Sequence, residues 1–298
     1  MREIAIIESI KKIVGKPGAG VKLGIGDDTA VLEWSKDEYL LFSSDMIVEN
    51  THFRLPSDRY ERIGWKAAAV NISDIAAMGG VPKYITVSLG IPKNFQDVSL
   101  KALYRGIKKI TAKFGVTIVG GDLNRSEKLV IDVAIIGNIK KRALVTRSGA
   151  KEGDRVFITG PVRDGKKCHL SFLPRVKEAR YLTGKYRINS MIDVSDGIAP
   201  DLWRICRASG LGASLSESLL SLAGSKNIND SLYYGESFEL VFTLPVKEAA
   251  SLEKDVKMRT APYKFFPIGM IVAQKYGVVM ADNKGVVSPV MFKGYEHL

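Results

Sequence analysis

Lys66-Ala-Ala-Ala-Val-Asn-Ile-Ser-Asp-Ile-Ala-Ala-Met-Gly79 is the stretch on which the fold turns. Apolar residues recur at helical spacing across residues 58–78 (Ile63, Ala67, Val70, Ile75, Met78), and Gly79-Gly80 followed by Pro82 stops the pattern. The helix this predicts is otherwise apolar, yet it carries a carboxylate, Asp74, beside Ile72, Ile75 and Ala76. Burying an unpaired carboxylate is costly, so such a group persists where a cation or a hydrogen-bond network compensates it.

On either side of that helix, Glu38–Val48 and residues 84–90 have strand composition. An amphipathic helix over 98–114, a short buried strand over 116–120 and a long strand over 128–139 follow. The polar, glycine-rich stretch 147–154 is the best boundary, giving domains 1–150 and 151–298. Beyond it strands are expected at Arg155–Thr159, 190–194, 238–244, 263–272 and 278–280, with helices near 196–208 and 246–255. Alternation of strand and helix in both halves argues for α/β or α+β layers and against a helix bundle.

Composition narrows the function classes. Apolar residues make up 46% and charged residues 26%, ordinary values for a globular protein, and charge breaks the apolar runs well before a membrane span. Glu8 falls inside what would be the apolar region of a signal peptide, so cytoplasmic residence is the expectation. The two cysteines, Cys168 and Cys206, and three histidines, His52, His169 and His297, lack zinc-ligand spacing. Adjacent Cys168 and His169 point in different directions on any regular element, which disfavours a thiol nucleophile. The formal charge of +12 is spread along the chain in short groups without a nucleic-acid-binding motif. It reads as a solvated surface or as a field that draws small anions inward.

Asp74 is one of a series of carboxylates beside Gly, Ser or Asn. The others lie in Gly24-Ile-Gly-Asp-Asp-Thr29, Ser43-Ser44-Asp45, Gly120-Gly-Asp122 and Asp193-Val-Ser-Asp-Gly197. Taken singly, an Asp beside Gly is usually a turn or a helix cap. Taken together, hard oxygen ligands without His or Cys select magnesium over zinc, and magnesium bridges substrate phosphates. The chain has neither a Gly-x-x-x-x-Gly-Lys-Ser/Thr loop nor a Gly-x-Gly-x-x-Gly opening a helix, so phosphate binding would run mainly through metal.

These segments, with Gly26-Asp-Asp-Thr-Ala-Val31, Ser44-Asp-Met-Ile-Val-Glu-Asn-Thr-His-Phe53, Thr146-Arg-Ser-Gly-Ala150 and Lys293-Gly-Tyr-Glu-His297, make the chain resemble the thiamine-monophosphate kinase family. That family falls in the superfamily of aminoimidazole-ribotide synthetase and selenophosphate synthetase. The resemblance implies a two-domain homodimer. Its N-terminal mixed sheets would close into a barrel between protomers, ATP would lie near the interface, and a C-terminal α/β domain would complete the site. It implies that Asp28, Ser43, Ser44, Asp45, Asp74, Asp122, Asp193 and Asp196 hold Mg2+, with Asp45, Asp74 and Asp196 closest to the chemistry. Tyr104, Gly121, Asp122, Arg147 and Ser195 would contact ATP, and His52, Glu236 and Tyr295 the acceptor, thiamine monophosphate. A permanent thiazolium cation suits an aromatic face, and transfer between two phosphates suits divalent ions without a strong general base.

The sequence departs from the family in its second half. The usual Gly-Gly-Glu-Asp-Tyr-Glu-Leu is Tyr234-Gly-Glu-Ser-Phe-Glu-Leu240, and Pro161-Val-Arg-Asp-Gly-Lys-Lys167 replaces a Gly-Asp-Ser-Ala-Ala-Gly-like helix start. A different acceptor within the superfamily therefore stays open, as does a nucleotide-binding regulator with impaired catalysis. An RNA-binding role rests on charge alone.

Overall fold

The computed structural model describes residues 2–161 and 169–292, and its strands form two mixed sheets. The first contains β1 (Val21–Leu23), β2 (Ala30–Glu33), β3 (Glu38–Val48), β4 (Val81–Ile91), β5 (Thr117–Arg125) and β6 (Val130–Lys140) in the order β1-β2-β3-β6-β4-β5. The second contains β7 (Arg155–Thr159), β8 (Ser190–Asp193), β9 (Gly212–Ser216), β10 (Leu240–Leu244), β11 (Phe265–Val272), β12 (Val278–Ala281) and β13 (Val287–Pro289), ordered β13-β12-β9-β11-β7-β10-β8. The described helices are α1 (Arg2–Val14), α2 (Tyr60–Ala77), α3 (Asp97–Phe114), α4 (Val176–Lys185), α5 (Ile198–Ser209), α6 (Glu217–Leu222), α7 (Ile228–Tyr233) and α8 (Val246–Lys257). The α/β reading of the sequence holds.

Helix α2 is the centre of the molecule. Ile63, Ile72 and Ile75 are fully buried, each burial contributing about 1.5–3 kcal/mol. Against α3 the approach is backbone to backbone. A Cβ on Gly64 would stand 2.0 Å from the carbonyl oxygen of Leu103, and one on Gly106 would stand 1.8 Å from that of Glu61. The helix also reaches the second half of the chain, where Trp65 Nε1 donates to the carbonyl of Phe172 at 2.7 Å.

Strand β3 carries Ser43, Ser44 and Asp45, and its pairing explains why they are available. It pairs with β6 along its whole length, from Glu38 opposite Lys140 to Val48 opposite Val130. Its pairing with β2 stops at Phe42, so residues 43–48 lie beyond the reach of that ladder. Two backbone N–H groups of this stretch find side chains: Asp45 N donates to Asn71 Oδ1 and Val48 N to His52 Nδ1, both at 3.0 Å. Strand alternation sends Leu41, Ser43, Asp45 and Ile47 to the α2 face and Phe42, Ser44 and Met46 to the other.

Two expectations need correction. The short buried strand over 116–120 is instead β5, a nine-residue strand at the sheet edge, exposed along nearly all of it. Pattern alone cannot tell a buried central strand from an apolar edge. Helices α1, α4, α6 and α7 and strands β1, β2, β9 and β13 had no counterpart in the sequence reading; α1 is apolar around much of its circumference, with Ile6, Ile10 and Ile13 exposed.

Candidate active site

The α2 residues Lys66, Val70 and Asp74, spaced at i, i+4 and i+8, share one helix face, and that face lines a cleft of about 1600 Å³. The first sheet supplies Ser43, Ser44 and Asp45. The loop before β2 supplies Asp27 and Asp28, the segment between the two sheets supplies Arg147, and the second half supplies Asp193, Ser195, Asp196 and Glu236. Asp28, Asp74 and Asp193 each bring a carboxylate oxygen within 4.8 Å of the other two. Segments distant in the sequence thus converge on one acidic floor.

Hydroxyls hold that floor in place. Ser43 Oγ donates to Asp74 Oδ2 at 2.5 Å, and Ser73 Oγ donates to Asp193 Oδ2 at 2.6 Å. Arg147 Nη2 donates to Asp28 Oδ1 at 2.6 Å, while its backbone N–H reaches the Asp27 carboxylate. Asp28 Oδ2 is buried and has no hydrogen-bond partner among the described residues. An orphaned carboxylate oxygen on one of three clustered carboxylates suits a hard cation.

Burial first, then mutual repulsion, raises the carboxylate pKa values. Asp74 goes well above its ordinary value through burial and the charges of Asp45, Asp193 and Asp28. Asp193 rises through burial and Asp28, and Asp27 is pushed up to about 7 by burial and Asp28. Burial opposes the Arg147 charge, but Asp28 and then Asp27 more than offset it and raise its pKa. Asp196 pairs with Arg204, which also pairs with the fully buried Asp201 of α5. Asp201 Oδ2 accepts the backbone N–H of Asp196 at 3.0 Å, so the turn into α5 is fastened twice.

His52 and Glu236 also line the cleft. Because His52 Nδ1 accepts from Val48 N, the neutral ring carries its proton on Nε2. Glu236 sits in the left-handed region at φ 63°, and its N–H donates to the carbonyl of Ser195 at 2.8 Å. The second acid of the same motif, Glu239, is buried with Arg175 and Thr159 and has a structural part.

Residues 26–139 match the family model described as AIR synthase related protein, N-terminal domain. The chain is 32% identical to thiamine-monophosphate kinase of Bacillus subtilis, over 94% of each chain. It is 33% identical to the enzyme of that name from Buchnera aphidicola subsp. Acyrthosiphon pisum, over 99% of this chain and 98% of the relative.

The chain belongs to the thiamine-monophosphate kinase family.

It is a kinase, and its structure agrees with that assignment. A solved structure of AaThiL complexed with AMPPCP and TMP superposes with a TM-score of 0.83 at 29% identity, over 99% of this chain and 97% of that one. Three family-implied residues do not line the cleft. Tyr104 is on α3, half-buried against the core. Gly121 and Asp122 are on β5, at the far edge of the sheet from β3. Asp122 stands in register with Ser88, Asp132 and Met46 across β4, β6 and β3, three strand spacings or about 14 Å from Met46. Gly121 has a packing reason of its own, since a Cβ there would lie 1.9 Å from the carbonyl oxygen of Val87. Tyr295 falls outside the described residues.

The sequence reading counted Asp27 among the carboxylates without giving it a role, and missed Lys66, His169 and Arg204; all four line the cleft, along with Ile4, Ile7, Glu8 and Lys11 of α1. Lys66 had a signal: a lysine in the middle of a helix too apolar to expose it.

Proposed function

We propose that the chain transfers the γ-phosphoryl group of ATP to thiamine monophosphate, giving thiamine diphosphate. The observation that carries this reading is the meeting of Asp28, Asp74 and Asp193 within 4.8 Å, in the same cleft as His52 and Glu236. Its family membership and the likeness to AaThiL complexed with AMPPCP and TMP support both substrates.

The all-oxygen donor set fits magnesium, and the unpartnered Asp28 Oδ2 gives it an open ligand. Asp28, Asp74 and Asp193 would hold the ion or ions, with Ser43, Ser44, Asp45 and Asp196 lining the same space. Bound there, magnesium would offset the repulsion between two phosphate-bearing substrates. Arg147 would turn its cationic face to the triphosphate, with Ser195 beside it. His52 would donate from Nε2 to the acceptor, and Glu236 would face its cationic ring. The attacking phosphate oxygen is already ionised, so no side chain has to remove a proton.

The reading includes a homodimer in which residues 1–150 form the dimerising, nucleotide-binding domain and residues 151–298 complete the site. Met46 and Tyr84, 54% and 50% exposed, lie on the first sheet's outer face beside Phe42, an apolar surface suited to a second copy. Helix α3 of that copy would then bring Tyr104, and its edge strand β5 would bring Gly121 and Asp122, toward the nucleotide. The expected setting is cytoplasmic, and no described helix is long and apolar enough to cross a membrane.

Product analysis with ATP, magnesium and a panel of phosphorylated acceptors tests the proposal. Thiamine diphosphate should form fastest; turnover of another acceptor with thiamine monophosphate inert would refute the assignment of substrate.

A further inference from the structure

Lys66 is the largest fully buried side chain among the described residues, with 1% of its side chain exposed. An ammonium has three N–H donors and no acceptor, so burying it requires three acceptors around it. Three are present, each from a separate segment. Lys66 Nζ donates to the carbonyl oxygen of His52 at 2.9 Å, pairs with Glu236 Oε1, and lies 3.1 Å from His169 Nδ1.

His169 Nδ1 also lies 3.3 Å from Glu236 Oε2, so the ring touches both members of the Lys66–Glu236 pair. With Nδ1 bare and the proton on Nε2 it accepts the third lysine N–H, and all three lysine donors are used. Burial and the Lys66 charge both lower the His169 pKa, consistent with a neutral ring.

Two of the three acceptors belong to residues that the functional reading puts against the acceptor: the main chain of His52 and the carboxylate of Glu236. We infer that Lys66 is a positioning residue for the acceptor pocket, one buried ammonium setting His52 and Glu236 relative to each other, with His169 completing its coordination. This inference rests on the proposed assignment of the acceptor end. The Glu236 side chain is 37% exposed to the cleft, and its carboxylate is met on the protein side by Lys66 Nζ at Oε1 and His169 Nδ1 at Oε2. The hydrogen bonds and ion pair of Lys66 go to the His52 carbonyl, His169 and Glu236 rather than to Asp28, Asp74 or Asp193, so the effect is expected in acceptor binding and not in nucleotide binding.

The test compares full-length wild type with Lys66→Met, measuring KM for thiamine monophosphate, KM for ATP, and the Kd of a non-hydrolysable ATP analogue. Loss of a charged hydrogen-bond partner is expected to raise the acceptor KM about ten- to hundredfold, leaving both nucleotide constants within about twofold. A lysine that serves only the fold would move all three together or none. Should Lys66→Met fail to fold, His169→Gln and His169→Leu replace it. Glutamine keeps an acceptor for Lys66 and should preserve the acceptor KM, whereas leucine should raise it severalfold; equal values for the two overturn the inference. A wild type that neither binds nor converts thiamine monophosphate overturns the functional reading and this inference with it. A wild type that does, alongside an unchanged Lys66→Met, overturns this inference alone.

Discussion

Ser73 Oγ donates to Asp193 Oδ2 at 2.6 Å, joining the C-terminal part of α2 to the end of β8, 120 residues further along the chain. The bond is buried, and Asp193 is a member of the three-carboxylate floor. Ser73→Ala removes the donor and leaves the carboxylate short of a partner. The expected cost is about 1–3 kcal/mol in urea unfolding of the metal-free protein. The magnesium concentration for half-maximal activity should rise, because Asp193 loses its orientation. Unchanged values of both would show that the hydroxyl contributes nothing to the floor.

The neighbouring residue should behave in the opposite way. Asp74 is surrounded by Asp45, Asp193 and Asp28, which with burial raise its pKa well above the ordinary value. Asp74→Asn removes that repulsion and still lets Ser43 donate to the amide oxygen. Metal-free stability should be kept or increased, and magnesium-dependent activity should fall by at least about a hundredfold, the usual exchange of stability for function at an active site. Thermal unfolding and turnover measured on one preparation separate the two effects; a variant with full activity would remove Asp74 from the site.

The same electrostatics predict a pH dependence. Folding raises Asp27 from 3.8 to about 7, and raises Asp74 and Asp193 in the same direction. Between those limits the folded state binds more protons than the unfolded chain, so stability falls as pH rises. The contribution is fully present below the unfolded pKa and is lost as pH passes the folded one. In chelator, Tm should decline between about pH 4 and pH 7, apart from general acid effects at the low end. Magnesium favours the ionised carboxylates and should flatten or reverse that decline. A Tm profile that magnesium leaves untouched would contradict cation binding at this floor.

How much of this was legible follows from particular residues. Asp74 could be read because a carboxylate on an otherwise apolar helix contradicts its surroundings, and such contradictions mark sites. The strand holding Ser43, Ser44 and Asp45 could be read from composition, and the structure gives it the boundaries Glu38–Val48. Lys66 stood in the same helix with the same contradiction, yet its three acceptors come from segments that only the fold brings together. Arg204 was illegible because its meaning depends on Asp201, a buried acid that looks like any first-turn helix residue. Tyr104, Gly121 and Asp122 were read from family likeness, and nothing in their local pattern says which surface they serve.

Those three residues yield the last prediction. Within one chain β5 is the edge strand three places from β3, and Asp122 is about 14 Å from Met46. If Asp122 takes part in catalysis, it serves the cleft of a second copy. Asp122→Ala and Asp74→Asn should each be nearly inactive alone. Mixed and allowed to exchange, they form heterodimers in which one site carries both changes and the other carries neither. Random pairing makes half the dimers mixed, so about a quarter of wild-type activity should return. Recovery should fail with Asp28→Ala in place of Asp122→Ala, since Asp28 and Asp74 share one cleft. No recovery with Asp122→Ala, from a protein shown by sedimentation to exchange subunits, would assign Asp122 to its own chain or to no site at all.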